Sequence, residues 1–408
     1  MNPAPDRSHW IIRWALYGFV ASIPFEIPDR SIPLEVTTIT GCIFLLATWR
    51  QPLRCFGRVP GALWAFGAFL YVFWVSFVLG GGGHLGDALK SFAAFLQLLL
   101  IFWAAFNVLR EDTVATRALL AFGISCVLLG LLTVGGVMHM DSDWVSESGR
   151  ETMFGQNANR AGLTLASGAL ALVGLTYGRD RQLIRPRWLV WPLVVVIALA
   201  IVKGGSRGSM LAFIIGLWTF TVAGRTIEMK LKNTVVATVA VVVLGWAAWQ
   251  SPLVQARFEK AENLNLAGRE EIFPIAGRMF LEKPLWGWGP AQNKYEIASR
   301  LPPLEGFTRR DSHNLVLEVV TSTGLLGAVP FFLGTGLCLW GAWKARRGIY
   351  GVMPVAMAAT MMAANMAGNY IAFKLYWVVL ALGAAAGSLM PRRPAVRARW
   401  AARGIPAC

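Results

Sequence analysis

The chain has 408 residues, 56% hydrophobic and 15% charged, with a formal net charge of +16. It is too apolar for a soluble protein of this size, and its apolar residues fall in separated blocks, so it reads as a polytopic membrane protein. The cationic residues alternate between loops, which argues for membrane orientation rather than nucleic-acid binding.

The first apolar block, near 10–27, is followed by Pro28-Asp29-Arg30 rather than a small-residue cleavage site and is kept as a span. Blocks at 60–80, 88–109, 115–138 and 234–250 are each close to the length that crosses a bilayer, and about twelve such blocks run along the chain. The expected division is spans 1 to 9 with short loops over 1–250, a large loop over 251–313, spans 10 to 12 over 314–390 and a basic tail over 391–408. Arg50, Arg54, Arg58, Arg110, Arg117, the arginines of 179–187, Arg225, Lys344 and the tail fall on one side if the blocks alternate. The positive-inside rule makes that side cytoplasmic and puts both termini there. Cys42, Cys126 and Cys338 lie in spans, with Cys55 and Cys408 on the cytoplasmic side, so no disulfide framework is expected.

Two loops on the other side carry polar sequence. The smaller, about 139–160, contains Asp141-Ser-Asp143 and ends in Asn157-Ala-Asn159-Arg160; a metal-nucleotide role for the two aspartates rests on a pattern that often arises by chance. In the larger loop Arg269 follows Gly268, and Ile272, Ile275, Ala276 and Met279 recur at helical spacing, which predicts an amphipathic helix against the membrane domain. Glu270 and Glu271 suit its first turn, Arg278 is spaced to pair with Glu282, and a turn with Trp286 and Trp288 at interfacial depth follows. No Walker, Rossmann or zinc pattern occurs, and Gly80–Gly83 lacks the lysine of a P-loop.

The chemistry-bearing residues gather on this second side. His313 lies just before the apolar helix that starts near Asn314, with Asp311 or Ser312 as its expected cap; a helix N-terminus disfavours the imidazolium and suits a general base. The plain alternative is an interfacial histidine bonded to a loop carbonyl. Arg207, in the turn Lys203-Gly-Gly-Ser-Arg-Gly208, and Arg269 are candidate phosphate ligands, because guanidinium grips two oxygens at once. The alternative for Arg207 and Lys203 is snorkelling at a helix end. Arg309 and Arg310 either guide an anionic substrate or touch headgroups, and Glu318, inside an apolar run, is expected to pair, protonate or line a cavity, its plain role being that of a hydrogen-bonded structural partner.

With these residues assembled, the chain resembles the bacterial O-antigen ligases and the related O-antigen polymerases. His313-Asn-Leu-Val-Leu-Glu-Val-Val-Thr-Ser-Thr-Gly324-Leu-Leu-Gly327 is similar to their histidine motif. Gly268-Arg269, Pro284-Leu-Trp-Gly287-Trp-Gly289, Ser206-Arg207-Gly208 and Asn157-Ala-Asn159-Arg160 match further signatures in order. Many relatives carry an acid two positions before the glycine at 324, where this chain has Ser322.

The resemblance implies an all-α fold of the GT-C type with a helical periplasmic loop, in the bacterial inner membrane. It implies transfer of an undecaprenyl-diphosphate-linked polysaccharide to a sugar hydroxyl of lipid A-core at the periplasmic face. His313 would be the base and Arg207 and Arg269 the diphosphate ligands, with Arg160, Arg309, Arg310, Asn314 and Glu318 as further substrate contacts. Neither metal nor cofactor is expected. The alternatives are an O-antigen polymerase, an oligosaccharide transferase acting on protein, and, from another class, a twelve-span transporter, against which the unrelated halves of the chain speak.

Overall fold

The computed structural model describes residues 8–26, 36–137, 157–177, 187–222, 227–250, 255, 269–302 and 308–390, and the described residues are helical with short connections. The helices are α1 Trp10–Ser22, α2 Val36–Thr48, α3 Pro52–Phe56, α4 Gly61–Leu79, α5 Leu85–Val108, α6 Asp112–Val134, α7 Ala158–Tyr177, α8 Val190–Lys203, α9 Arg207–Val222 and α10 Ile227–Trp249. They continue as α11 Arg269–Glu282, α12 Gln292–Arg300, α13 Leu315–Ala345, α14 Met353–Asn365 and α15 Lys374–Ser388.

Among the described residues α4, α5, α6 and α13 are long and apolar enough to cross a membrane. Shorter apolar segments stand at Trp10–Phe25, Val36–Thr48, Val190–Lys203, Arg207–Val222 and Lys374–Ser388. The expectation of about twelve spans thus meets a structure in which many apolar helices stop after four turns, about 20 Å at a rise of ~1.5 Å per residue.

The bundle is organised around α13, which lies against α4 and α15, while α14 packs on α7 and α9, and α6 on α1, α7 and α8. Its aromatic centre joins α4, α5, α13 and α15: Phe66 stands edge-on to Phe102 at 5.5 Å and to Trp377 at 4.9 Å, and Phe69 meets Phe331 at 5.1 Å. Large apolar side chains such as Val239, Val243 and Trp246 of α10 point outward, as lipid-facing residues do.

The two ends of the bundle differ in kind. At one, Ser8 N–H and Arg54 reach Glu111, and Arg110 Nε donates to Ser388 Oγ at 3.1 Å, so the connections that carry Arg54 and Arg110 meet the start of α1 and the end of α15 there. At the other, Lys203 Nζ donates to Val134 O at 3.0 Å, Lys374 pairs with Glu26 at 2.8 Å and Lys283 Nζ donates to Gly80 O at 3.1 Å.

The segment 269–302 sits on this second end as two helices with a small core of their own. Ile272, Ile275 and Met279 of α11 are buried against Ile297 of α12 and Leu301, with Trp288 closing the cluster, so the helical spacing read from the sequence marks the buried face. The expected Arg278–Glu282 pair is replaced: Glu282 takes Arg300 through both oxygens, at 2.6 and 2.7 Å, because α12 brings a guanidinium into fork geometry that a neighbour on the same helix does not match. Trp288 likewise belongs to this packing, with Nε1 donating to Met279 O at 2.9 Å and Lys283 Nζ 3.9 Å from the ring centre.

One junction ties this unit to the bundle. Helix α13 is interrupted at Gly324, whose φ of 61° and ψ of −166° leave the helical region. The chain of 284–289 fills the gap: Trp288 N–H donates to Thr321 O at 2.8 Å, Gly289 to Ser322 O at 2.9 Å, Leu325 to Pro284 O at 2.8 Å and Leu326 to Leu285 O at 3.0 Å. A broken helix exposes backbone donors and acceptors that an apolar setting does not satisfy, and this turn satisfies them. A Cβ on Gly324 would collide with the Leu285 carbonyl, and one on Gly287 (φ 70°) would lie 2.7 Å from Gly324 N.

Candidate active site

His313 occupies the turn between the 308–312 segment and α13, with a φ of 51° in the left-handed region. The cap of α13 is Asn314 rather than the expected Asp311 or Ser312. Extended backbone at φ −151° and ψ 127° lets Asn314 Oδ1 accept from Val316 N–H at 2.9 Å and Leu317 N–H at 3.1 Å. Its Nδ2 donates to Met366 O at 3.1 Å. The imidazole keeps an accessible face, yet the protein crowding its other sides lowers its affinity for a proton below the ordinary histidine value. Burial is the main cause, Arg269 and Arg310 add to it, and Asp311 opposes them.

Arg269 opens α11 and donates from Nη2 to Ala367 O at 2.7 Å, in the connection between α14 and α15. Burial lowers its proton affinity, Tyr370 acts against this and Arg207, the first residue of α9, acts with it. Burial pushes the Tyr370 phenol up to about 12, with Arg160 and Arg269 pulling the other way. The connection 366–373 therefore gathers side chains that the sequence scatters over more than 200 positions. Ser206 Oγ donates to Asn159 Oδ1 at 2.7 Å, and Ser209 Oγ to Asn159 O at 2.9 Å, so the signature around Asn159 is knitted to the one around Arg207.

Two guanidinium groups here are incompletely used. Arg269 Nε and Arg310 Nη2 are buried with no hydrogen-bond partner among the described residues. A buried charged donor without an acceptor is costly, and such a site suits an anion. Arg309 is employed differently: it pairs with Asp87 of α5 at 3.1 Å, beside Tyr295, whose hydroxyl donates to the same oxygen at 2.7 Å.

A cavity of about 350 Å³ is lined by Asp311, two residues before His313, and by Glu318. Lys294 of α12 and Asp311 face it as an ion pair at 2.7 Å, each with about two fifths of its side chain accessible, 39% and 43%. Burial alone would raise Asp311, but Lys294, His313 and Arg160 together hold its carboxyl below the usual range; Lys294 is raised because Asp311 and Glu318 outweigh its own burial. Glu318, 6% exposed, accepts from Ser312 N–H at 3.2 Å and Ser312 Oγ at 2.9 Å. Arg160 lies at the cavity edge with its guanidinium 5.0 Å from the Phe373 ring. Ser322 also lines the cavity, its hydroxyl bonded back to Glu318 O.

The structure thus gathers His313, Arg269, Arg207, Arg310, Arg160 and Glu318 at one end of the bundle, while Arg309 and Asn314 spend their side chains on Asp87 and on the helix cap. Lys294 and Tyr370 were not singled out from sequence, and nothing local marks either. Asp311, two residues before His313, has in the sequence only the signature of a helix cap. Asp141, Asp143 and Gly268 lie outside the described residues.

The described residues are helical, four of the helices are long and apolar enough to cross a membrane, and His313 stands near buried guanidinium groups, which together describe a helical membrane protein. Residues 192–332, a segment that contains Arg207, Arg269, His313 and Gly324, match the family model described as O-Antigen ligase, and the match supports a relation to that family. No curated protein matches the chain.

Proposed function

We propose that this protein is an O-antigen ligase of the bacterial inner membrane, joining an undecaprenyl-diphosphate-linked polysaccharide to a sugar hydroxyl of lipid A-core at the periplasmic face. The observation that carries the reading is His313 beside two guanidinium groups with buried, unpartnered N–H donors. In the reaction the acceptor oxygen attacks the anomeric carbon and its proton passes to the neutral imidazole. The bond from that carbon to the diphosphate breaks, and the electron pair leaves on the diphosphate oxygen. Arg269, Arg310 and Arg207 take up the charge that develops there, so the clamp needs no divalent cation. Attack from the face opposite the diphosphate inverts the anomeric centre.

The orientation is supported by Arg54 and Arg110 lying at the end opposite the site, which the positive-inside rule assigns to the cytoplasm. The short apolar helices complete the twelve spans of this reading.

Reconstitution with purified lipid-linked glycan and purified lipid A-core tests the proposal. Wild-type protein is expected to yield glycan-bearing lipid A-core, and His313→Ala to remain folded but lose about 10²–10⁴-fold in rate. Extension of a second lipid-linked glycan instead would make it a polymerase, and transfer by His313→Ala at the wild-type rate would remove the base from the mechanism.

A further inference from the structure

We propose that the cavity lined by Lys294, Asp311 and Glu318, close in the chain to His313, is a pyranose-binding subsite that holds one sugar ring. The assignment rests on the glycosyl-transfer reading above. A cavity of about 350 Å³ is within the range of small-molecule sites. Its lining is of two kinds. Phe69 and Phe73 of α4 and Phe95 of α5 supply aromatic surface, and Lys90, Arg160, Lys294, Asp311, Glu318 and Asn369 supply polar groups. A pyranose has the matching shape, with an apolar C–H face and an edge of hydroxyls that both donate and accept.

The polar lining is equipped for that edge. The Lys294–Asp311 pair lines the cavity with Asp311 Oδ1 buried 2.7 Å from the ammonium, so the pair offers the lysine N–H groups as donors and the second carboxylate oxygen as acceptor. Glu318 commits Oε2 to Ser312, while its Oε1 has no partner among the described residues. Other occupants fit less well. A polyprenyl chain would cover an ion pair and a carboxylate without replacing their contact with water, which is costly. A phosphate would meet Lys90, Arg160 and Lys294 here but also two carboxylates, one of them already paired with Lys294, whereas Arg269 and Arg310 offer donors with no partner among the described residues.

The ring has two sources, the sugar next to the diphosphate in the donor or the acceptor sugar of the core, and one experiment separates them. Full-length protein in lipid nanodiscs is examined by saturation-transfer difference NMR with two probes: delipidated core oligosaccharide and the free O-antigen repeat oligosaccharide. Ring-proton signals are expected from one probe. Core signals assign the pocket to the acceptor, and repeat signals to the donor.

Ala94→Phe, which fills the cavity from α5, and Asp311→Asn, among its polar groups, should each weaken that probe about tenfold. They act on different segments, so misfolding of one leaves the other as the test. Absence of signal from both probes with wild-type protein overturns the proposal, as does wild-type binding by the folded variants. Glycosyl transfer measured in parallel keeps the two readings apart: probe binding blocked by Ala94→Phe, with no transfer by wild-type protein, would leave the subsite standing and remove the ligase function.

Discussion

A histidine with φ near 50° is held there against a backbone preference that disfavours it by about 1–3 kcal/mol, and such strain gathers at working sites. Here the turn leaves the imidazole partly accessible while the charges of Arg269 and Arg310 act against its protonation. The neutral ring is the active form of a base, so the rate should rise with pH through a value below ~6.5, the ordinary histidine pKa, and stay flat above it until another group titrates. A rate profile under saturating donor checks this; a rising limb above the ordinary value would contradict the burial argument. Asp311→Asn removes the carboxylate that opposes those arginines and should move the limb lower still. Arg269→Lys and Arg207→Lys keep the charge but lose the two-oxygen grip, and should lower kcat/KM by tenfold or more, about 1.4 kcal/mol. Normal turnover by both lysine variants would end the diphosphate assignment. His313 and the two arginines were legible because each stands at a polar break beside an apolar run. Lys294 and Tyr370 were not, since their importance comes from neighbours distant in sequence.

At the level of elements, the junction between α13 and the 284–289 turn makes a rigid floor for the site. Four backbone hydrogen bonds join the two segments, and Gly324 permits the break. Gly324→Ala places a Cβ against the Leu285 carbonyl and a side chain at φ 61° and ψ −166°, a region essentially confined to glycine, which costs about 1–3 kcal/mol from backbone alone. It is expected to lower the thermal midpoint in detergent and to reduce transfer, and an unchanged midpoint would show that the junction relaxes freely. The amphipathic face of α11 was readable from apolar spacing. The Arg278–Glu282 pairing was misread, because spacing along one helix says nothing about a better guanidinium arriving from another.

For the whole molecule, the division of charge between the two ends predicts a single orientation. In a background without native cysteines, Gly81→Cys should react with an impermeant thiol reagent from the periplasmic side, and Arg347→Cys only after the inner membrane is opened. The reverse pattern would invert the topology and place the site in the cytoplasm. Composition and block length alone determined that the chain is helical and membrane-bound, because a bilayer demands long apolar segments with internally satisfied backbone. The signatures determined which residues to watch. Tertiary structure decided that they meet: the 366–373 connection joins Arg269 to Asn314, α12 delivers Lys294 to Asp311, and a turn forty residues upstream fills the break at Gly324. Local patterning reports burial and chain reversal, whereas the meeting of distant charges depends on how the helices pack, which no single segment encodes.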